Sequence, residues 1–143
     1  MESKAAAVWN GSLKDGKGEL KTDSSVLRGA PYSFKSRFEG GDGTTPEELI
    51  AAAHAGCFSM ALSMILGESE LTAKQIETEA TVTLEKKDGG FAITRVHLDV
   101  NAIVPGAQPE AFEQAASTAK ENCPVSKLLN AEISMTARLT DIG

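Results

Sequence analysis

The hydrophobic positions of this chain are densest between residues 44 and 68, TTPEELIAAAHAGCFSMALSMILGE. The stretch opens with a helix-start signal. Thr45 can cap, Pro46 suits the first helical position, and Glu48 falls three after Thr45, as a capping box requires. Gly67 is placed to stop the helix. The span predicts a helix of about 20 residues, roughly 30 Å long at 1.5 Å per residue. Leu49, Ala53, Cys57, Met60, Ala61 and Met64 share one face, while Ala51, Phe58, Leu62 and Leu66 cover the far side. A helix apolar nearly all round predicts a buried one.

Shorter alternating runs flank it. Residues 5–10 and 18–22 read as strands joined by a turn around Lys14-Asp15-Gly16. A third strand is predicted over 32–39, with Tyr32, Phe34, Ser36 and Phe38 on one face and Lys35, Arg37 and Glu39 on the other. Gly40-Gly41-Asp42-Gly43 turns the chain into the long helix, and no P-loop lysine follows to give those glycines a nucleotide meaning. Residues 76–86 alternate cleanly, Asp88-Gly89-Gly90 marks a hairpin turn, and the returning strand changes parity. Phe91 and Ile93 are odd, whereas Val96, Leu98, Val100 and Ala102 are even, so a bulge is predicted near Thr94-Arg95.

Pro109 opens a second helix over 110–122, with Phe112, Ala115, Ala116 and Ala119 as its buried stripe. Pro124 ends it near Cys123, a further turn follows over 125–129, and 132–139 is the last strand. The order predicts one α+β domain, 1–143, with antiparallel pairing around a long buried central helix. A single small sheet covers one side of that helix. The other side predicts a second copy of the chain, a homodimer.

Composition narrows the class. A chain of 143 residues, 41% hydrophobic and 24% charged, reads as an ordinary globular domain. A net charge of −6 with no basic stripe argues against nucleic acid and anionic membrane as partners. The start, MESKAAAVWNGS, lacks a basic-then-apolar export signal, which predicts a cytoplasmic location. Residues 49–66 approach membrane-spanning length, but His54, Ser59, Ser63 and the small residues weaken insertion, so the helix reads as a core element.

The chain has two cysteines, and 123 − 57 = 66 positions separate them, so neither a CxxC pair nor a zinc knuckle is present. Cys123 falls where one helix ends and a new turn begins, and the free N–H groups there favour a thiolate. Cys57 is mid-helix and needs a cation if it is a nucleophile. A free thiol with a pKa near 8.5 is only about 3% thiolate at pH 7, and lowering it to about 6 gives roughly 90%. That gain corresponds to about 3 to 3.5 kcal/mol, within reach of one partly desolvated arginine. Arg28, Arg37, Arg95 and Arg138 are the candidates, with Arg37 favoured by its place just before the loop that feeds the helix. A carboxylate can orient such a guanidinium by bidentate pairing. Plain packing also accounts for a cysteine on an apolar face. His54 and Cys57, one turn apart, offer half a metal site. Glu47 and Glu48 suit the positive end of the helix dipole without any further role. These alternatives stay open on the residues alone.

Taken together, Arg37-Phe38-Glu39-Gly40, Gly43-Thr44-Thr45-Pro46-Glu47-Glu48-Leu49, the run Ala53-His54-Ala55-Gly56-Cys57-Phe58-Ser59-Met60-Ala61-Leu62-Ser63 and Cys123-Pro124-Val125-Ser126 resemble the OsmC/Ohr family of osmotically inducible and organic hydroperoxide resistance proteins. Pro31-Tyr32 and Gly90-Phe91-Ala92-Ile93-Thr94 extend the likeness along the whole chain, and the position of Arg37 is similar to the OsmC branch. Gly56, where relatives often carry alanine, is a departure that slightly loosens the helix.

The resemblance implies an intertwined homodimer and a cysteine-based peroxidase that reduces organic hydroperoxides, and hydrogen peroxide less well, without haem, flavin or metal. It implies that Cys57 attacks, Cys123 resolves, Arg37 lowers the Cys57 pKa and polarises the peroxide, and Glu47 orients Arg37. It also implies recycling by an external dithiol, lipoyl-type in some members. Glu47 and Cys57, ten residues apart on one helix, lie roughly 15 Å apart along its axis, so a Glu47 that serves Cys57 comes from a second copy. A slow or non-catalytic thiol-disulfide protein on the same scaffold is the alternative, and a metal-binding module is the third reading.

Overall fold

The structure, a computed structural model, describes residues 1–140. It contains two compact units, Met1–Leu49 and Ile50–Gly143. In the first, β1 (Ala5–Asn10), β2 (Lys17–Thr22) and β3 (Ala30–Tyr32) form an antiparallel sheet in that order. Trp9 and Tyr32, with ring centroids 5.5 Å apart, close over Gly18. A side chain at Gly18 would run into both rings, so only glycine fits that rung.

The strand expected over 32–39 stops at Tyr32, and 34–38 is instead a short helix, α1 (Phe34–Phe38). Local hydrogen bonding decides between the two. The Ser36 N–H donates to Ser33 Oγ at 3.0 Å and the Ser33 N–H to Ser36 Oγ at 2.9 Å, a reciprocal capping box. Phe34 and Phe38, read as alternate strand positions, are also one helical turn apart, and their ring centroids lie at 4.8 Å. The Ser36 hydroxyl reaches the Thr44 carbonyl at 2.9 Å, tying α1 to the start of the long helix.

That helix, α2 (Pro46–Glu68), begins where the sequence places it. The Glu48 N–H donates to Thr45 Oγ1 at 2.9 Å, while the Glu48 carboxylate accepts from Thr44 Oγ1 at 2.7 Å rather than from the Thr45 backbone. Gly67 does not stop it. The chain turns at Glu70, whose φ is 60°, with Leu71 N–H bonding to Leu66 C=O and Glu70 N–H to Gly67 C=O. That is a Schellman ending with glutamate in the left-handed position glycine usually fills.

In the second unit β4 (Gln75–Lys87), β5 (Gly90–Ile103) and β6 (Glu132–Leu139) form a sheet in that order. The β4–β5 turn is Asp88-Gly89, both with positive φ, as a two-residue hairpin of this hand requires. Thr83 pairs with Arg95 and Leu84 with Ile93, so Thr94 is the extra residue that the parity change demanded. β6 runs parallel to β5, Val96 opposite Ile133 and Leu98 opposite Met135, which corrects the expectation of antiparallel pairing throughout. The connection carries α3 (Pro109–Asn122) and α4 (Pro124–Leu128), long enough for the crossover that a parallel neighbour needs.

The core joins Val96, Leu98, Val100 and Ala102 of β5 to Phe112, Ala115, Ala116 and Ala119 of α3 and to Phe58, Leu62 and Leu66 of α2. Within one chain, then, α2 buries a single stripe rather than its whole circumference. Met60 is 77% exposed and Met64 64%. By length and composition alone this helix could cross a membrane. Each fully buried Phe58, Leu62 or Leu66 side chain contributes about 1.5–3 kcal/mol.

The turn at Glu70 generates a stability expectation. Left-handed backbone costs a non-glycine residue about 1–2 kcal/mol, offset partly by the entropy glycine loses on folding. Glu70→Gly should raise the urea-unfolding free energy by about 0.5–1 kcal/mol. A loss on substitution would show that the Glu70 side chain outweighs its backbone strain.

Candidate active site

Cys57 is carried near the middle of α2, and Cys123 stands at the joint between α3 and α4. Pro124 makes that joint. It cannot follow a helical residue comfortably, and Cys123 accordingly takes φ −55°, ψ 128°, closing α3 with its N–H on Ala119 C=O and opening α4 with its C=O on Lys127 N–H. Both thiols are free, Cys57 partly exposed and Cys123 fully buried. The fold brings them into hydrogen-bonding contact across a separation of 123 − 57 = 66 positions.

Burial holds the Cys57 thiol above its ordinary pKa, the hydrogen bond and charge of Cys123 push it the same way, and the Val125 backbone N–H pulls it back in part. The free N–H of the new turn therefore serves Cys57, whereas the sequence reading assigned that help to Cys123. A thiol raised in this way is mostly un-ionised at pH 7. It requires further positive charge to become a good nucleophile.

One turn before Cys57, His54 is completely buried, and its Nε2 lies 2.7 Å from Ser126 Oγ. Its Nδ1 has no partner. The sequence offered His54 as half a metal site; here its Nε2 is taken by a hydroxyl. Ser126 was missed as a site residue, although it stands in the Cys-Pro-Val-Ser run. A small polar residue in a first helical turn is ordinarily a capping group, and that masked it.

In the first unit, α1 carries Arg37 and the first turn of α2 carries Glu47. They pair within the chain through one edge of the guanidinium and both carboxylate oxygens, Nε to Oε1 at 2.9 Å and Nη2 to Oε2 at 3.1 Å. The Glu47 side chain is 11% exposed and that of Arg37 37%, so the carboxylate is the fixed member. Arg37 also lies 5.2 Å from the Phe38 ring centroid. Beside it is an apolar pocket of about 270 Å³ bounded by Trp9, Leu13, Tyr32, Phe34 and Phe38. Of the other arginines considered, Arg138 is held by Asp99 at 2.6 Å and Arg28 bonds to the Ser25 carbonyl. Arg95 is exposed on β5. The four candidate residues thus form two pairs, Cys57 with Cys123 and Arg37 with Glu47, one in each unit.

The chain is an α+β protein in which a partly open thiol lies against a sealed one. More particularly, the chain belongs to the OsmC-like protein family, whose model matches residues 39–138. It is 50% identical to Peroxiredoxin OsmC of Escherichia coli (strain K12) over 139 residues, 97% of each chain. It is 31% identical to the organic hydroperoxide resistance protein OhrB of Bacillus subtilis (strain 168), over 85% of this chain and 88% of the other. The crystal structure of OhrB of Bacillus subtilis superposes with a TM-score of 0.72 at 30% identity, covering 96% of this chain and 98% of that one. An OsmC-like protein from Mycoplasma pneumoniae shares the fold, with a TM-score of 0.77 at 14% identity over 99% of each chain.

Burial also lowers the pKa of His54 from 6.5. Below about pH 6.5 the unfolded chain takes up a proton that the folded one resists, so this group makes stability fall as pH drops through that value. The urea midpoint should decline between about pH 7 and 5, and His54→Gln should lose part of that slope. An unchanged slope in the variant would assign the acid sensitivity to other groups.

Proposed function

We propose that this protein is a cysteine-based peroxidase that reduces organic hydroperoxides to alcohols, and hydrogen peroxide less well, in defence against oxidative stress. The contact between the partly open Cys57 thiol and the buried Cys123 thiol carries the reading. The identity to a named peroxiredoxin supports it.

The Cys57 thiolate attacks one peroxide oxygen, the O–O bond breaks, and the alkoxide leaves and is protonated to the alcohol. Cys57 is then a sulfenic acid. The Cys123 sulfur attacks the Cys57 sulfur, the S–O bond breaks, and the hydroxide leaves as water with the Cys123 proton. An external dithiol, of lipoyl type in some relatives of the resembled family, supplies two electrons and two protons to restore both thiols. The apolar pocket beside Arg37 favours a peroxide with an organic substituent.

The raised Cys57 pKa needs a cation, and Arg37, fixed by Glu47, is suited to supply it. Glu47 precedes Cys57 on α2 by ten residues, about 15 Å along the axis. The Arg37–Glu47 pair of one copy therefore serves Cys57 of a second, in a homodimer that covers the exposed Met60 and Met64 face. The alternative reading is a slow or non-catalytic thiol-disulfide protein on the same scaffold, and steady-state turnover of cumene hydroperoxide with a dithiol donor separates the two.

Three outcomes are expected. Peroxide treatment should give a Cys57–Cys123 disulfide within one chain, and mass mapping that found only intermolecular bridges would reject Cys123 as resolver. Arg37→Ala should slow attack most at neutral pH and recover partly near about pH 9, where an unassisted thiol is largely ionised. A pH-rate profile like that of wild type would move the role to another cation. Finally, Cys57→Ser mixed with Glu47→Ala under subunit exchange should regain activity above either parent, because one site of the mixed dimer then holds every side chain. No recovery after confirmed exchange would confine Glu47 to its own chain.

A further inference from the structure

His54 precedes Cys57 by three residues on α2, and Ser126 follows Cys123 by three across the start of α4. The two contacts are therefore neighbouring rungs between the same two elements, Cys57 with Cys123 and His54 with Ser126. Cys123 caps α4, with Pro124, Val125 and Ser126 as its first three helical residues. Val125, whose N–H acts on the Cys57 sulfur, lies between the residues of the two rungs on α4.

The second rung is costly to build. His54 is fully buried with Nδ1 unpartnered, and an unsatisfied buried ring nitrogen works against folding. An apolar residue would fill the same place without that cost, so packing does not explain a histidine there. The tautomer with the proton on Nε2 leaves only an acceptor unpaired, and Nε2–H then donates to Ser126 Oγ at 2.7 Å. A short hydrogen bond between two buried groups fixes the separation of the elements that carry them more tightly than apolar contact does.

We propose that the His54–Ser126 hydrogen bond is a positioning device for disulfide formation: it holds α4 against α2 so that Cys123 reaches the Cys57 sulfenic acid before a second peroxide does. His54 and Ser126 are positioning residues, acting through the cysteines. The inference rests on the Cys57–Cys123 cycle proposed above. The competition it governs is between two balanced steps. Either Cys123 displaces water from the Cys57 sulfenic acid to form the disulfide, or a second hydroperoxide transfers an oxygen to it, giving the sulfinic acid and an alcohol.

The test measures that partition. Reduced protein receives a fixed excess of cumene hydroperoxide, and intact-mass analysis gives the ratio of sulfinic acid to disulfide. Ser126→Ala should raise the ratio by about fivefold, the scale of one lost hydrogen bond. Ser126→Thr, which keeps the hydroxyl, and His54→Gln, whose amide nitrogen can stand in for Nε2, should stay near wild type. Melting temperatures of all three are recorded, because a merely structural bond would lower stability without moving the partition. An unchanged ratio in a folded Ser126→Ala would overturn the proposal. Should that variant not fold, a ratio raised equally in Ser126→Thr and His54→Gln would do so. A wild-type protein that forms no Cys57–Cys123 disulfide would instead reject the underlying cycle, and this inference with it.

Discussion

The placement of the chemistry depends on which stripe of α2 the core accepts. His54, Phe58, Leu62 and Leu66 recur every four residues and are all fully or almost fully buried. Cys57 sits one residue from that stripe, about 100° round the helix from Phe58. It is therefore neither sealed nor free, and a thiol at the margin of a core can be reached by a small oxidant while touching a buried neighbour. Moving the buried stripe by one residue would bury Cys57 outright and turn His54 to solvent.

Much of this fold was legible because its signals are local. Alternation placed β4 and β5, the parity change between Ile93 and Val96 located the bulge at Thr94, and Pro109 and Pro124 bounded α3. The failures share one cause, a pattern that two structures satisfy equally. Phe34 and Phe38 fit a strand by alternation and a helix by their four-residue spacing, and only the Ser33–Ser36 capping box separates the two. β6 alternates identically whether it runs with β5 or against it, so its direction depends on the crossover. A helix without a polar face gives no sign of which apolar side the core will choose.

The candidate site was legible in part for the same reason. Cys57, Cys123, Arg37 and Glu47 stood out by residue type and by family resemblance, but pairing is a property of three-dimensional proximity. No spacing rule announces that residue 126 will meet residue 54, or that the Val125 amide will act on Cys57 rather than on the cysteine beside it. The resemblance implied that Glu47 orients Arg37, but the setting of that pair at the junction of α1 and α2 was not legible, because 32–39 read as a strand.

The unequal burial of the two thiols has a consequence for the order of events. Cys123 has no exposed surface, whereas Cys57 has some. Soluble thiol reagents therefore meet a protein with one accessible thiol, although it carries two. The buried thiol is shielded from such reagents, and in the proposed cycle it takes part only after its neighbour has been oxidised. Titration with a thiol reagent would count one group per native chain and two after unfolding, so the accessible-thiol count reports on the folding of this unit.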